Sequence, residues 1–204
     1  ELLSVKVKQL VLGLLEIFAL DENGIVYELS GTGFYNYSAP GEPFEFVTIS
    51  QIAAGDGHAL AITNEGRVYG WGRSNEGQLG YIPIYSRRLG YPQLITLESV
   101  PIVATSIAAG TQFSAIYSRN ASAIYTFGSN EFGQLGNDVT SYTADIRDIA
   151  QTTIFSQVSP GENNKLVCSN YNCVFMVEKA KCFGVYYDSD SVCSGRGRCL
   201  GMDF

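Results

Sequence analysis

Positive charge is scarce in this chain. Its 204 residues carry 13 Lys plus Arg against 20 Asp plus Glu, a formal net charge of −7. The clustered basic face that a nucleic-acid binder needs is therefore missing, and the pair Arg87-Arg88 does not supply it. Histidine is scarcer still. His58 is the only one, which excludes sites built on two histidines and leaves little for general acid–base work near neutrality. No apolar run reaches the roughly 20 residues that a membrane-spanning helix needs. The best candidate, Leu10 to Leu20, is shorter and carries Glu16. No Gly-x-x-x-x-Gly-Lys-Ser/Thr loop is present to cradle phosphate. Cysteine is absent before position 168. These gaps lead us to expect no catalytic residue, no cofactor, no metal site, no nucleic-acid partner and no membrane span in this segment.

What is present is glycine (22) and tyrosine (13), with few prolines and no convincing helical period. That balance suits short strands joined by tight turns, an all-β fold. Self-similarity then sets the frame. Ile52-Ala53-Ala54-Gly55-Asp56-Gly57-His58-Ala59-Leu60-Ala61-Ile62 returns as Ile107-Ala108-Ala109-Gly110-Thr111-Gln112-Phe113-Ser114-Ala115-Ile116-Tyr117, and more loosely from Val158 to Cys168. The N-terminal run joins the series, because Gln9, Gly13, Ala19, Gly24, Val26 and Tyr27 match Gln51, Gly55, Ala61, Gly66, Val68 and Tyr69 at an offset of 42. We read that run as a buried strand pair. A second motif, Trp71-Gly72-Arg73-Ser74-Asn75-Glu76-Gly77-Gln78-Leu79-Gly80, returns as Phe127-Gly128-Ser129-Asn130-Glu131-Phe132-Gly133-Gln134-Leu135-Gly136. Asn23-Gly24 and Glu65-Gly66 sit between alternating apolar runs, where a hairpin needs positive φ. The glycine landmarks at 13, 55, 110 and 161 give steps of 42, 55 and 51. A multi-strand unit of about 50 residues has the size of a propeller blade.

Aromatic-Gly followed by Asn-x-x-Gly-Gln-Leu-Gly, with a later Ala-Ala-Gly-x-x-His, resembles the RCC1 repeat, and the resemblance extends over residues 5 to 167. It implies a partial β-propeller of about three RCC1-type blades within 1–178, in units of roughly 5–62, 63–117 and 118–178. A complete RCC1 propeller has seven blades, so the remaining ones are expected in flanking sequence. The first unit is degenerate, with Glu28-Leu29-Ser30-Gly31 where Trp-Gly belongs, and the last never regains the signature. Tyr81 to Val100 reads as a long excursion between strands. The resemblance gives His58 a structural role, packed between blades, and makes Trp71 and Phe127 core rings.

All five cysteines lie in the last fifth of the chain. Cys168 and Cys173 flank a four-residue loop and could bridge the arms of one hairpin. The spacings are too wide for a zinc site. Residues 179–204, with Cys182 and Val192-Cys193-Ser194-Gly195-Arg196-Gly197-Arg198-Cys199, resemble the opening half of an EGF-like module. That resemblance implies a Cys182–Cys199 pairing, a partner for Cys193 beyond Phe204, and an oxidising compartment. The acidic motif of a calcium-binding EGF is lacking before Cys182. Asn36-Tyr37-Ser38 and Asn120-Ala121-Ser122 are glycosylation sequons compatible with secretion.

The expected function is a non-enzymatic, secreted or cell-surface interaction scaffold with a protein partner of unknown identity. Its contact loops are taken to include Tyr85, Arg87, Arg88 and Tyr91, because Tyr and Arg are common interface anchors. The alternatives are an intracellular RCC1-type regulator, such as a guanine-nucleotide exchange factor, and a decayed fragment with no separate function.

Overall fold

The computed structural model describes residues 5–176 apart from 15, 31–32, 81–87, 98, 119, 122, 137–149, 154–164 and 170–172. No helix occurs among them. A first antiparallel sheet contains β1 (Val7–Leu12), β2 (Ile17–Asp21), β3 (Val26–Ser30) and β4 (Gly33–Asn36), paired in chain order. A second repeats the meander with β5 (Ile49–Ala54), β6 (His58–Thr63), β7 (Val68–Arg73) and β8 (Arg88–Leu94). The short hairpin β9 (Thr96–Leu97) and β10 (Val100–Pro101) leads to a third sheet, β11 (Ser106–Ala109), β12 (Phe113–Ser118), β13 (Ala123–Gly128) and β14 (Ala150–Thr153). Strands β15 (Lys165–Cys168) and β16 (Cys173–Met176) begin a fourth.

The second strands explain the architecture. All six residues of β6, and all six of β12, are buried. A strand apolar on both faces must be covered on both, so sheets stack face to face on their neighbours. Phe18, Leu20 and Val26 of the first sheet pack with Ile52, Ala59, Ala61 and Trp71 of the second. Leu60, Ile62 and Val68, on the opposite face of the second sheet, pack with Ile107, Ile116 and Phe127 of the third. Ala108, Ala115 and Tyr117 then meet Leu166 of the fourth.

The hairpin turns form as their sequences require. Gly24 and Gly66 have φ of 83° and 85°, and their N–H groups close turns on the Asp21 and Thr63 carbonyls. The Asp21 carboxylate accepts from the N–H groups of Asn23 and Ile25, and the Thr63 hydroxyl accepts from those of Glu65 and Arg67. Each turn also reaches the next sheet: Ile49 N–H donates to Gly24 C=O and Ala104 N–H to Gly66 C=O.

Four expectations are corrected. Leu10–Leu20 is a strand pair, but of its two strands only β2 is largely buried; Leu10 and Leu12 on β1 are 59% and 69% exposed, and among the described residues no sheet covers their face. The degenerate first unit still forms a full four-stranded sheet, since pairing needs backbone and an apolar stripe, not the Trp-Gly landmark. The stretch Tyr81 to Val100 is no simple excursion, as it supplies β8, β9 and one residue of β10. Finally, the fourth unit is in a different register. The pair Cys168↔Cys173 stands where Ala109↔Ser114 and Ala54↔Ala59 stand in the sheets before it. Ser169 thus holds the landmark position, and Gly161 lies outside the described residues.

Candidate functional site

The repeated motif of the second and third sheets is built from interlocking pieces. His58, 2% exposed, ends β6's entry turn, with its Nε2 3.0 Å from the Ser114 hydroxyl of the third sheet. Ser114 donates onward to the Gln78 carbonyl at 2.7 Å, which leaves the His58 Nε2–H as donor to Ser114. Burial lowers the imidazole pKa to about 4, and nearby Arg73 acts in the same direction, against the Phe113 backbone as an acceptor, which raises it. Neutral at physiological pH, the ring forms a rung between the second and third sheets.

The Gly-Gln-Leu-Gly turn locks the end of the third strand. Gly77 and Gly80, like Gly133 and Gly136, have φ between 68° and 78°, a left-handed geometry that suits glycine. Gly80 N–H closes on Gly77 C=O, and Gly136 N–H on Gly133 C=O. The Gln78 and Gln134 side chains accept from the backbone N–H groups of Glu76 and Phe132. Leu79 and Leu135 plug the core, and Asn130 accepts from the Leu135 N–H. Gly72 and Gly128, with φ of 94° and 114°, let the backbones of Gly57 and Gln112 come close. Trp71 and Phe127 occupy equivalent environments, each facing the preceding sheet, at 4% and 1% exposure.

A device that the motif search did not assign joins the first strands. The Gln9 carboxamide donates to Ile52 C=O at 2.6 Å and accepts from Ile52 N–H at 3.0 Å. Gln51 makes the same two bonds to Ile107. At the next junction Ser106 takes the Leu166 N–H at 3.0 Å. An amide side chain carries both a donor and an acceptor, so it stands in for one rung of a β-ladder across a gap too wide for backbone pairing. The only clue in the sequence was Gln9 matching Gln51 in the repeat. Strands β1, β5, β11 and β15 line one cleft of about 730 Å³, whose charged lining residues are Lys8 and Lys165.

The surface candidates scatter. Tyr85 and Arg87 lie outside the described residues, and the side chain of Arg88 on β8 does too. Tyr91, also on β8, is 60% exposed and within electrostatic reach of Tyr35, whose hydroxyl donates to Glu42. Burial first, then that bond, raises the Tyr35 pKa; Tyr37, bonded to Glu28, is raised for the same reasons. Sequence reasoning missed Phe46 and Phe132, 90% and 64% exposed. Phe132 was visible as the one aromatic inside a polar turn motif. Asn36 is half-buried at the end of β4, its side chain accepting from the Ser38 N–H, whereas Asn120 is exposed. Cys168 and Cys173 are disulfide-bonded, with Cα atoms 4.0 Å apart. Cys182, Cys193, Cys199 and the EGF-like segment lie outside the described residues.

Comparison with known proteins agrees with this geometry. The Regulator of chromosome condensation (RCC1) repeat matches at residues 49–78 and 65–117. Mouse probable E3 ubiquitin-protein ligase HERC4 is 32% identical over 121 residues, covering 58% of this chain and 11% of that protein. The RCC2 homolog of Xenopus laevis is 39% identical over 93 residues, covering 44% and 17%. The chain therefore spans less than a fifth of either relative. Among solved structures, Prp20p of Saccharomyces cerevisiae, described with its binding properties to Gsp1p and histones, superposes with a TM-score of 0.63 at 20% identity, over 83% of this chain and 43% of that one. Human WBSCR16 superposes at 0.61 and 18% identity, over 82% and 44%. Residues 49–117 thus match RCC1 repeats, and the described sheets have the fold of β-propeller blades.

Proposed function

We propose that this chain is a non-enzymatic protein-interaction scaffold, in which bonded RCC1-type sheets hold a set of surface aromatics for a protein partner. The observation that carries the reading is the exposure of Phe46, Phe132 and Tyr91, at 90%, 64% and 60%, on connections and an outer strand of an otherwise tightly packed stack. Connections on a rigid scaffold are where binding residues concentrate, and exposed aromatics are frequent hot spots. The likeness to Prp20p, a protein described with its binding properties to Gsp1p and histones, is consistent with protein partners. A pull-down comparing the wild type with the triple variant Phe46→Ser, Tyr91→Ser, Phe132→Ser is the test. A partner identified by mass spectrometry with the wild type should be lost with the variant; equal recovery would remove these residues from the site.

The same proposal includes an oxidising compartment, the EGF-like character of 179–204, and use of the Asn36 and Asn120 sequons. The Cys168–Cys173 bond supports it. Non-reducing mass spectrometry of secreted material is the check, and five free thiols would turn the reading toward an intracellular regulator. Stimulated nucleotide release from small GTPases would favour the exchange-factor alternative.

A further inference from the structure

The turn between β2 and β3 is the one place where the sequence sets Asn directly before Gly. That pair carries a chemistry of its own, because a glycine nitrogen has no side chain beside it to shield it. Once deprotonated, the Gly24 nitrogen can bond to Asn23 Cγ; the Cγ–Nδ2 bond breaks and ammonia leaves. Water then opens the resulting five-membered imide at either carbonyl. The product is Asp or isoaspartate, each with a new negative charge.

The folded turn holds both reacting groups off that path. Asn23 is exposed, but Gly24 is buried. The Gly24 N–H is engaged by the Asp21 carbonyl at 3.1 Å. The Asp21 carboxylate, on a residue 4% exposed, accepts from the N–H groups of Asn23 at 2.9 Å and Ile25 at 2.8 Å, and the Asn23 carboxamide nitrogen rests 3.5 Å from its second oxygen. The second sheet clamps the other side. Ile49 N–H donates to Gly24 C=O at 3.0 Å, and a Cβ on Gly24 would lie 2.4 Å from Thr48 Cγ2 and 2.9 Å from the Ile49 carbonyl oxygen. Ring closure must swing the Gly24 nitrogen out of this clamp, so it waits for the junction between the first two sheets to open.

We propose that Asn23-Gly24 is a modification site gated by the docking of the first sheet on the second: the closed junction withholds deamidation, opening admits it, and the isoaspartate product keeps the junction from closing again. Isoaspartate routes the main chain through the former side chain and lengthens it by one methylene. Gly24 then no longer fits between Thr48 and Ile49, and the N–H of Ile49, 1% exposed, loses its acceptor. The second sheet supplies the internal control. Its turn makes the same bonds, Gly66 N–H to Thr63 C=O at 2.9 Å and Ala104 N–H to Gly66 C=O at 2.8 Å, but Glu65 stands in place of Asn23. A glutamate side chain is one methylene too long for the five-membered ring.

The full chain, incubated at mildly alkaline pH with and without urea, tests this by peptide mapping around Asn23 and enzymatic methylation of isoaspartate. Deamidation at Asn23 should be slower by about tenfold or more in the folded chain. Phe18→Ala, which loosens the junction without touching the turn, should speed it under folding conditions and leave the rate in urea unchanged. Leu166→Ala, two junctions away, should change neither rate. Chain modified in urea and refolded should show red-shifted Trp71 emission, because Trp71 packs against Phe18, Tyr37 and Phe44. Asn23→Glu, which copies the second turn, and Asn23→Ser should pass through the same treatment with emission unaltered. Equal rates with and without urea, equal acceleration by Phe18→Ala and Leu166→Ala, an isoaspartate chain whose emission matches the fresh one, or a red shift shared by both Asn23 variants would each overturn the proposal.

Discussion

The single histidine ties this fold to pH through one ring. Neutral in the folded state down to about pH 4, His58 takes up a proton in the unfolded chain at its ordinary value of about 6.5. Between those values the unfolded state binds more protons, so stability is intact above pH 6.5 and declines as pH falls toward 4. The total loss is on the order of 3 kcal/mol. Urea unfolding followed by fluorescence of Trp71, the sole tryptophan, should show that decline. His58→Phe, which copies the Phe113 that fills the same position one sheet later, should flatten it. Two glycines set a second test at this scale. A Cβ on Gly55 would lie 2.1 Å from the Gly110 carbonyl oxygen, and one on Gly110 would lie 2.0 Å from the Phe113 ring. Alanine at either should destabilise by about 3 kcal/mol or more, whereas Gly90→Ala, with open space around it, should leave the unfolding midpoint nearly unchanged.

Strands in this molecule answer to sheets on either side, and the Gln rungs show what that is worth. Gln51→Ala leaves the N–H and C=O of Ile107 without their carboxamide, at a cost of about 1–3 kcal/mol. Ser106→Gln should act in the opposite sense by restoring a two-bond rung to Leu166; chemical denaturation measures both, and equal midpoints would refute the rung's role. At the fourth sheet, the Cys168–Cys173 bond closes a loop small enough that its entropic contribution is about 2 kcal/mol. Reduction should therefore speed hydrogen exchange at residues 165–168 while β6 and β12 keep their protection. At this scale too the sequence was readable where local chemistry decides. Asn23-Gly24, Glu65-Gly66 and both Gly-Gln-Leu-Gly turns fold as their residues require, because positive φ leaves few alternatives. It was opaque where distant parts decide. Leu10 and Leu12 look as apolar as buried Leu20, yet among the described residues no sheet covers them. The register of β15 follows from Leu166 meeting Ser106, which no local pattern records, so Gly161 misled. The dual role of Gln9 and Gln51 depends on a neighbouring strand and could not be read from one.

For the whole molecule, stability is expected to behave as a stack with nearest-neighbour terms. Phe18→Ala, at the junction where Phe18 meets Trp71 edge-on with ring centroids 5.6 Å apart, should red-shift the tryptophan emission at low denaturant. Leu166→Ala, two junctions away, should not. The RCC1 match at 65–117 runs from the turn before β7 nearly to the end of β12, so one sequence unit is the outer half of one sheet joined to the inner half of the next. Deleting it would fuse β5 and β6 directly to β13 and β14. The product is again a meander of four strands. Copy number in such a gene can therefore rise or fall by whole units, through crossover between misaligned copies, without ever orphaning a strand; what changes is the number of sheets in the stack.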